Sequence, residues 1–127
     1  MTTHSPAQAP AQLYKICTIE AWQEALSAAT LPPLPADVAD GYIHLCTLAQ
    51  LPSTLALHYK GHNGLFILEV DAAALPSTAL KWESARQGEL FPHLYGALPM
   101  AAVSRVLPAY PNPDGSHRVP ELDLTSE

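Results

Sequence analysis

A chain of 127 residues, 48% hydrophobic with a mean hydropathy of +0.06, has enough apolar side chain for one core and is too short for several. Twelve acidic residues against six basic ones give a formal charge of −6. The basic residues are scattered, which argues against a phosphate-tracking nucleic-acid surface and leaves a small molecule as the expected partner. Thirteen prolines and six glycines imply short elements and many turns, not a helical bundle.

Residues 1–12, rich in Ala, Pro and Gln, read as a flexible lead without a basic start or an apolar stretch. With no apolar run long enough for a membrane span, the expected setting is cytoplasmic, and Cys17 and Cys46 are expected to be reduced thiols. Leu13 to Cys17 reads as a strand. Thr18 can cap a helix over Ile19 to Ala29, whose buried face is predicted at Ile19, Trp22 and Leu26. The Pro-rich run from Leu31 to Pro35 stops it.

Tyr42 to Cys46 has the aromatic and β-branched content of a strand, with Tyr42, His44 and Cys46 on one face. Thr47 and Gln50 fit a capping box for a helix running toward Tyr59, with its start either at the box or nearer Pro52. After the turn Gly61-His62-Asn63-Gly64, Leu65 to Val70 is almost wholly apolar and reads as a central strand buried on both faces. Asp71 can cap an Ala-rich turn. Leu80 to Glu83 alternates, placing Lys81 and Glu83 on one face. Pro99 suits the start of a short helix, Val103 to Leu107 reads as the last strand, and residues 109–127 read as a loose tail. The expected domain is therefore 13–108, of α+β class, with a mostly antiparallel split sheet and two early helices.

Two segments concentrate chemistry: Gly41-Tyr42-Ile43-His44-Leu45-Cys46-Thr47 and Glu89-Leu90-Phe91-Pro92-His93-Leu94-Tyr95-Gly96. Each sets an imidazole among apolar and aromatic residues beside a glycine, where it is either satisfied in the core or open to a pocket. Same-face neighbours on a strand lie roughly 6 to 7 Å apart, so His44 and Cys46 are too distant for direct activation of a thiol. His58 and His62 have i, i+4 spacing but lack a metalloprotease Glu, and Gly61 interrupts the helix, so no metal is expected. Glu83, Arg86 and Glu89 form either a solvated loop or a pocket rim. His93 and Tyr95 either contact a ligand or bond internally.

The strand and Trp-bearing helix at the start, Ala39 to Thr47, Leu65 to Asp71, Trp82-Glu83 and Glu89 to Gly96 together resemble the family catalogued as domain of unknown function 952. The resemblance covers about residues 13 to 108. That family has been grouped with the ADP-ribosyltransferase-like fold, in which two small sheets meet at a cleft for NAD. The His-Leu-Cys-Thr strand end is also similar to the His-Leu-Ser strand of the RNA 2′-phosphotransferases. Carried over, His44 would hold the nicotinamide-side ribose, with Thr47 nearby. Those enzymes surround their substrates with several arginines, whereas here only Arg86 and Lys81 are available, so RNA phosphotransfer does not fit. Family members usually carry Ser where this chain has Cys46. The late catalytic Glu of protein-modifying relatives has Glu83 and Glu89 as candidates. The resemblance thus implies a cleft with His44 and Glu83 as catalytic residues and Thr47, Arg86, Glu89, His93 and Tyr95 as ligand contacts. NAD would be the substrate, in an ADP-ribosyltransferase-like or NAD-glycohydrolase-like reaction. The alternative is a non-catalytic small-ligand-binding or regulatory domain on the same fold.

Overall fold

The structure, a computed structural model, describes residues 10–122, with Arg86 described by its backbone alone. The expected lead falls mostly at 1–9, outside the described residues, and Gln12 already belongs to β1 (Gln12–Thr18). Thr18 then turns the chain into α1 (Ile19–Ala28), its side chain accepting a hydrogen bond from the Ala21 N–H, as a cap requires. The face that α1 buries corrects the sequence reading in part. Trp22 packs against the core as expected and Ala21 and Ala25 are buried, but Leu26 is 66% exposed, because the helix lies close on its small residues.

β2 (Thr30–Leu31) leads into a helix that the sequence reading missed, α2 (Pro35–Asp40). Three local devices make so short a helix: Pro35 in its first turn, the Asp37 carboxylate accepting from the Leu34 N–H at 2.9 Å, and Gly41 ending it in the left-handed region at φ 84°. The chain therefore has three helices among the described residues, not two. The third, α3 (Leu51–His58), follows a capping box in which the Thr47 N–H donates to Gln50 Oε1 and the Gln50 N–H to Thr47 Oγ1.

β4 (Leu65–Asp71) is the central strand of a four-stranded sheet ordered β1-β4-β8-β9, with β8 at Val103–Pro111 and β9 at His117–Arg118. Its alternation splits the core in two. Leu68 and Val70 pack with Ala21 and Ala25 of α1, while Leu65 and Ile67 pack with Leu51 and Leu55 of α3. β5 (Leu80–Ser84), β6 (Leu90–Leu94) and β3 (Ile43–His44) form a three-stranded sheet ordered β3-β6-β5, and β2 pairs with β7 (Leu98–Pro99). Every pairing is antiparallel, so the architecture is α+β with antiparallel sheets.

The strand expected over Tyr42 to Cys46 is only two residues long as β3, because the chain changes partners there. The Leu45 N–H still donates to the Pro92 carbonyl of β6, whereas Cys46 exchanges both backbone bonds with Tyr14 of β1, at 2.8 and 2.9 Å. One residue step thus passes from one sheet to the other. Around this step the two sheets diverge. Among the described residues no helix is long and apolar enough to cross a membrane.

The end of the chain is a second correction. The domain does not close at residue 108: β8 runs to Pro111, turns through Asn112 to Gly115, and returns as β9 to a short helical turn at Pro120–Leu122. Val119 is fully buried in the core beside α3, and the His117 ring donates to the His62 carbonyl at 2.6 Å. Polar turn residues disguised an element that tertiary packing holds. Val119→Ala is expected to cost roughly 1–3 kcal/mol in chemical denaturation, the scale for deleting buried methyl groups; a loss near zero would mark the hairpin as peripheral.

Candidate functional site

A cleft of about 610 Å³ opens where the sheets diverge, walled by β1, α2, the 42–46 segment, the C-terminal end of α3 and β6. Its organising group is Asp37, which is 3% exposed. Asp37 Oδ1 accepts from the His44 backbone N–H at 3.1 Å and Lys15 Nζ at 3.1 Å, and lies 2.7 Å from His44 Nδ1. Oδ2 accepts from Lys15 at 3.0 Å and from the Leu34 N–H at 2.9 Å. Burial pushes this carboxyl up. The His44 hydrogen bond, the Lys15 ammonium and the two backbone N–H groups outweigh that and hold it well below the usual carboxylate range. Lys15 is itself 2% exposed, so its charge stays in the core through Asp37.

His44 is held at both ring nitrogens. Nδ1 faces Asp37 and Nε2 lies 2.8 Å from Asp40 Oδ2, one helical turn from Asp37 in sequence. The Asp37 hydrogen bond raises the imidazole pKa, burial opposes it, and Asp40 adds to the rise. A ring flanked by two carboxylates favours the imidazolium.

Tyr42 joins this clamp to β6. Its ring stacks on His93 with centroids 4.0 Å apart and an interplanar angle of 20°, and it lies tilted to His44 at 4.7 Å and to Tyr95 at 5.3 Å. The His44 and His93 rings are 6.0 Å apart, although 49 positions separate them in the sequence. On β5, Glu83 Oε1 lies 2.7 Å from His93 Nδ1 and accepts from the Tyr95 hydroxyl at 2.7 Å. Burial raises the Glu83 pKa, but the His93 and Tyr95 bonds outweigh it and lower it overall. The same carboxylate pushes the Tyr95 hydroxyl up to about 12. The pairing of Lys81 with His93 and of Glu83 with Phe91 in register across β5 and β6 sets this geometry.

Of the residues singled out from sequence, His44, Glu83, His93 and Tyr95 form one connected cluster. His44 and His93 line the cleft, while Glu83 stands behind His93 as its hydrogen-bond partner. Thr47 and Glu89 belong elsewhere. Thr47 closes the capping box of α3, and Glu89 accepts from Nε2 of Gln50, the residue that precedes that helix, at 2.9 Å. Arg86 opens the turn between β5 and β6, and its side chain lies outside the described residues. His58 and His62 also line the cleft, at its α3 end. Among the described residues no group of three or more His, Cys, Asp or Glu side chains is arranged to hold a metal ion.

Sequence reasoning missed Lys15, Asp37, Asp40 and Tyr42 as site residues. Signals for two of them were present. Asp37 follows Pro35 at the spacing of a helix-capping acid, and a lysine inside the apolar run Leu13 to Cys17 must find a carboxylate if the strand is buried. Cys17 and Cys46 are both buried and not joined in a disulfide, and burial pushes the Cys17 thiol up to about 12.

The model of the family described as "Protein of unknown function (DUF952)" matches residues 16–106. A crystal structure of protein CC0527 from Caulobacter crescentus is 34% identical, covering 84% of this chain and 93% of its own, with a TM-score of 0.80. The solution NMR structure of CC0527 is 35% identical over 89% of this chain and 94% of its own, with a TM-score of 0.74. No curated protein matches the chain.

The clamp makes two predictions. Asp37→Asn leaves a buried ammonium without its counter-charge and is expected to cost on the order of 3–5 kcal/mol in denaturant titration; a loss below about 1 kcal/mol would dismiss the hub. Stability should also depend on pH through both partners. The lowered Asp37 pKa contributes stability present above about pH 4 and lost as pH falls, and the raised His44 pKa contributes stability present below about pH 6.5 and lost as pH rises through its folded value. His44→Gln should flatten the alkaline limb of the stability curve and shrink the acid limb only in part, because Lys15 and two backbone N–H groups still hold Asp37.

Proposed function

Because the chain belongs to the DUF952 family of proteins of unknown function, its activity has to be argued from the cleft, and we propose that the cleft binds an NAD-like nucleotide by its nicotinamide-ribose end. The reaction would be ADP-ribosyltransferase-like or NAD-glycohydrolase-like. The observation that carries this reading is the wall made by Tyr42, His44 and His93, with the carboxylates of Asp37 and Asp40 beside it. A flat cationic ring suits an aromatic face, and the nicotinamide ring of NAD is such a ring, while Asp37 and Asp40 offset the charges of Lys15 and His44. In this reading the antiparallel sheets bordering the cleft correspond to the two small sheets of an ADP-ribosyltransferase-like fold. Two buried cysteines outside any disulfide fit a cytoplasmic setting.

The residues fit one half of NAD better than the other. Lys15 is the one Lys or Arg among the described side chains lining the cleft, and Asp37 holds it, so a diphosphate finds no free ammonium or guanidinium among those side chains. Among the described side chains, His58 and His62, exposed at the α3 end, are placed to meet phosphate. The nicotinamide and its ribose would therefore lie toward Tyr42, with the rest of the nucleotide toward the mouth. Closure of a site around the breaking bond places negative charge where the ribose becomes oxocarbenium-like.

A second reading has its own support. Both nitrogens of His44 and one oxygen of Glu83 are already spent on internal partners, which suits a binding or regulatory domain that performs no chemistry. Calorimetry with NAD and chromatographic detection of nicotinamide separate the two. Binding in the micromolar to millimolar range with nicotinamide release supports an enzyme, and binding without release supports the second reading. Tyr42→Ala should weaken NAD binding by about tenfold or more, a change of roughly 1.4 kcal/mol. Absence of NAD binding to the wild type would falsify the nucleotide reading.

A further inference from the structure

The two histidines of the cleft differ in what remains open on the ring. His44 has both nitrogens within hydrogen-bond distance of carboxylates. His93 has only Nδ1 engaged, by Glu83 at 2.7 Å, and among the described residues none hydrogen-bonds to Nε2. A carboxylate can only accept, so Nδ1 carries the hydrogen, and in the neutral ring Nε2 then holds a lone pair. Tyr42 covers one face of the ring at 4.0 Å, and burial of His93 to 4% exposure restricts its rotation. The residue lines the cleft.

We infer that His93 is the proton-accepting base of this site, that Glu83 is its positioning residue, and that the acceptor is a hydroxyl nucleophile, water in the simplest case. The inference rests on the nucleotide reading for its substrate. His93 Nε2 takes a proton from the hydroxyl as that oxygen bonds to C1′ of the ribose. The bond from C1′ to the nicotinamide nitrogen breaks, and its electron pair leaves with neutral nicotinamide. His93 then releases the proton to solvent, so that NAD⁺ and water give ADP-ribose, nicotinamide and H⁺. His44 is unsuited to this role, because an imidazolium flanked by Asp37 and Asp40 has no lone pair to offer. It fixes the wall against which the ribose would sit. A carboxylate that orients an imidazole, which in turn meets the nucleophile, is a general arrangement for base catalysis.

The tautomer can be read without any ligand. Long-range proton–nitrogen NMR on the labelled full chain should show His93 with the hydrogen on Nδ1, and Glu83→Ala should lose that preference. A wild-type ring carrying its hydrogen on Nε2 overturns the inference whatever the protein does with NAD. With NAD as the probe, His93→Gln should slow nicotinamide release by roughly a hundredfold or more. Because His93 also forms part of the binding wall, the variant's NAD affinity in calorimetry should fall as well, but by no more than about tenfold, well short of the loss in release. If that variant does not fold, Glu83→Ala serves instead, with about a tenfold fall in kcat and little change in KM expected. Unchanged release in the folded variant removes His93 as base and leaves the nucleotide reading standing. Failure of the wild type to bind NAD removes the nucleotide reading, and the tautomer then decides the state of His93 by itself.

Discussion

A carboxylate buried between two sheets has to have its lone pairs met by donors, and in this fold meeting them ties together parts of the chain that are far apart in sequence. Asp37 receives the Lys15 ammonium from β1, the Leu34 N–H from the start of its own helix, and the backbone and ring of His44 at β3. Each donor alone would be a modest interaction. Together they set the position of α2 against both sheets, and so the width of the cleft on one side. Removing the carboxylate would strand Lys15, and removing Lys15 would strand the carboxylate, so the pair acts as one constraint. The alternative of an apolar pair would pack as well without directing His44.

The second constraint is the change of partners at residues 45 and 46. An antiparallel ladder that stayed with β6 would have continued the three-stranded sheet and closed the space beside Tyr14 to Ile16. Because Cys46 bonds to Tyr14 instead, the sheets separate just where His44 and Tyr42 project, and the cleft is a consequence of backbone pairing. A similar network holds β1 on its far side. Tyr14 donates to Glu69, which also takes two bonds from Arg105, and these partners hold the Glu69 pKa at about 2. The Arg105 bonds are the largest cause of that shift. The strand that carries Lys15 into the cleft is thus anchored from β4 and β8 as well.

The two histidines show how environment divides labour between identical side chains. Two carboxylates around His44 favour its charged form and leave it a fixed donor, while a single carboxylate behind His93 leaves one nitrogen available. Membership of a family without an assigned activity, and likeness to CC0527, carry the fold and leave the chemistry to these side chains.

What the sequence by itself determined was whatever depends on near neighbours. The Thr18 cap, the Thr47 and Gln50 box, the Asp71 cap and the alternation of Leu80 to Glu83 are rules of spacing three or spacing two, so they were legible before any tertiary contact was known. The doubly buried β4 was legible because an apolar run of its length has few other uses. The joining of His44 with His93 in one cluster was expected from their half-buried patterns and aromatic settings. Tertiary structure alone decided the rest. The Lys15 and Asp37 pair spans 22 positions, the Gln50 and Glu89 bond that draws Glu89 away from the cleft spans 39, and the hairpin seated by His117 on His62 spans 55. Such pairings follow from which backbone strands align and which buried charges must be met, and no periodicity or cap along a single stretch of chain encodes them.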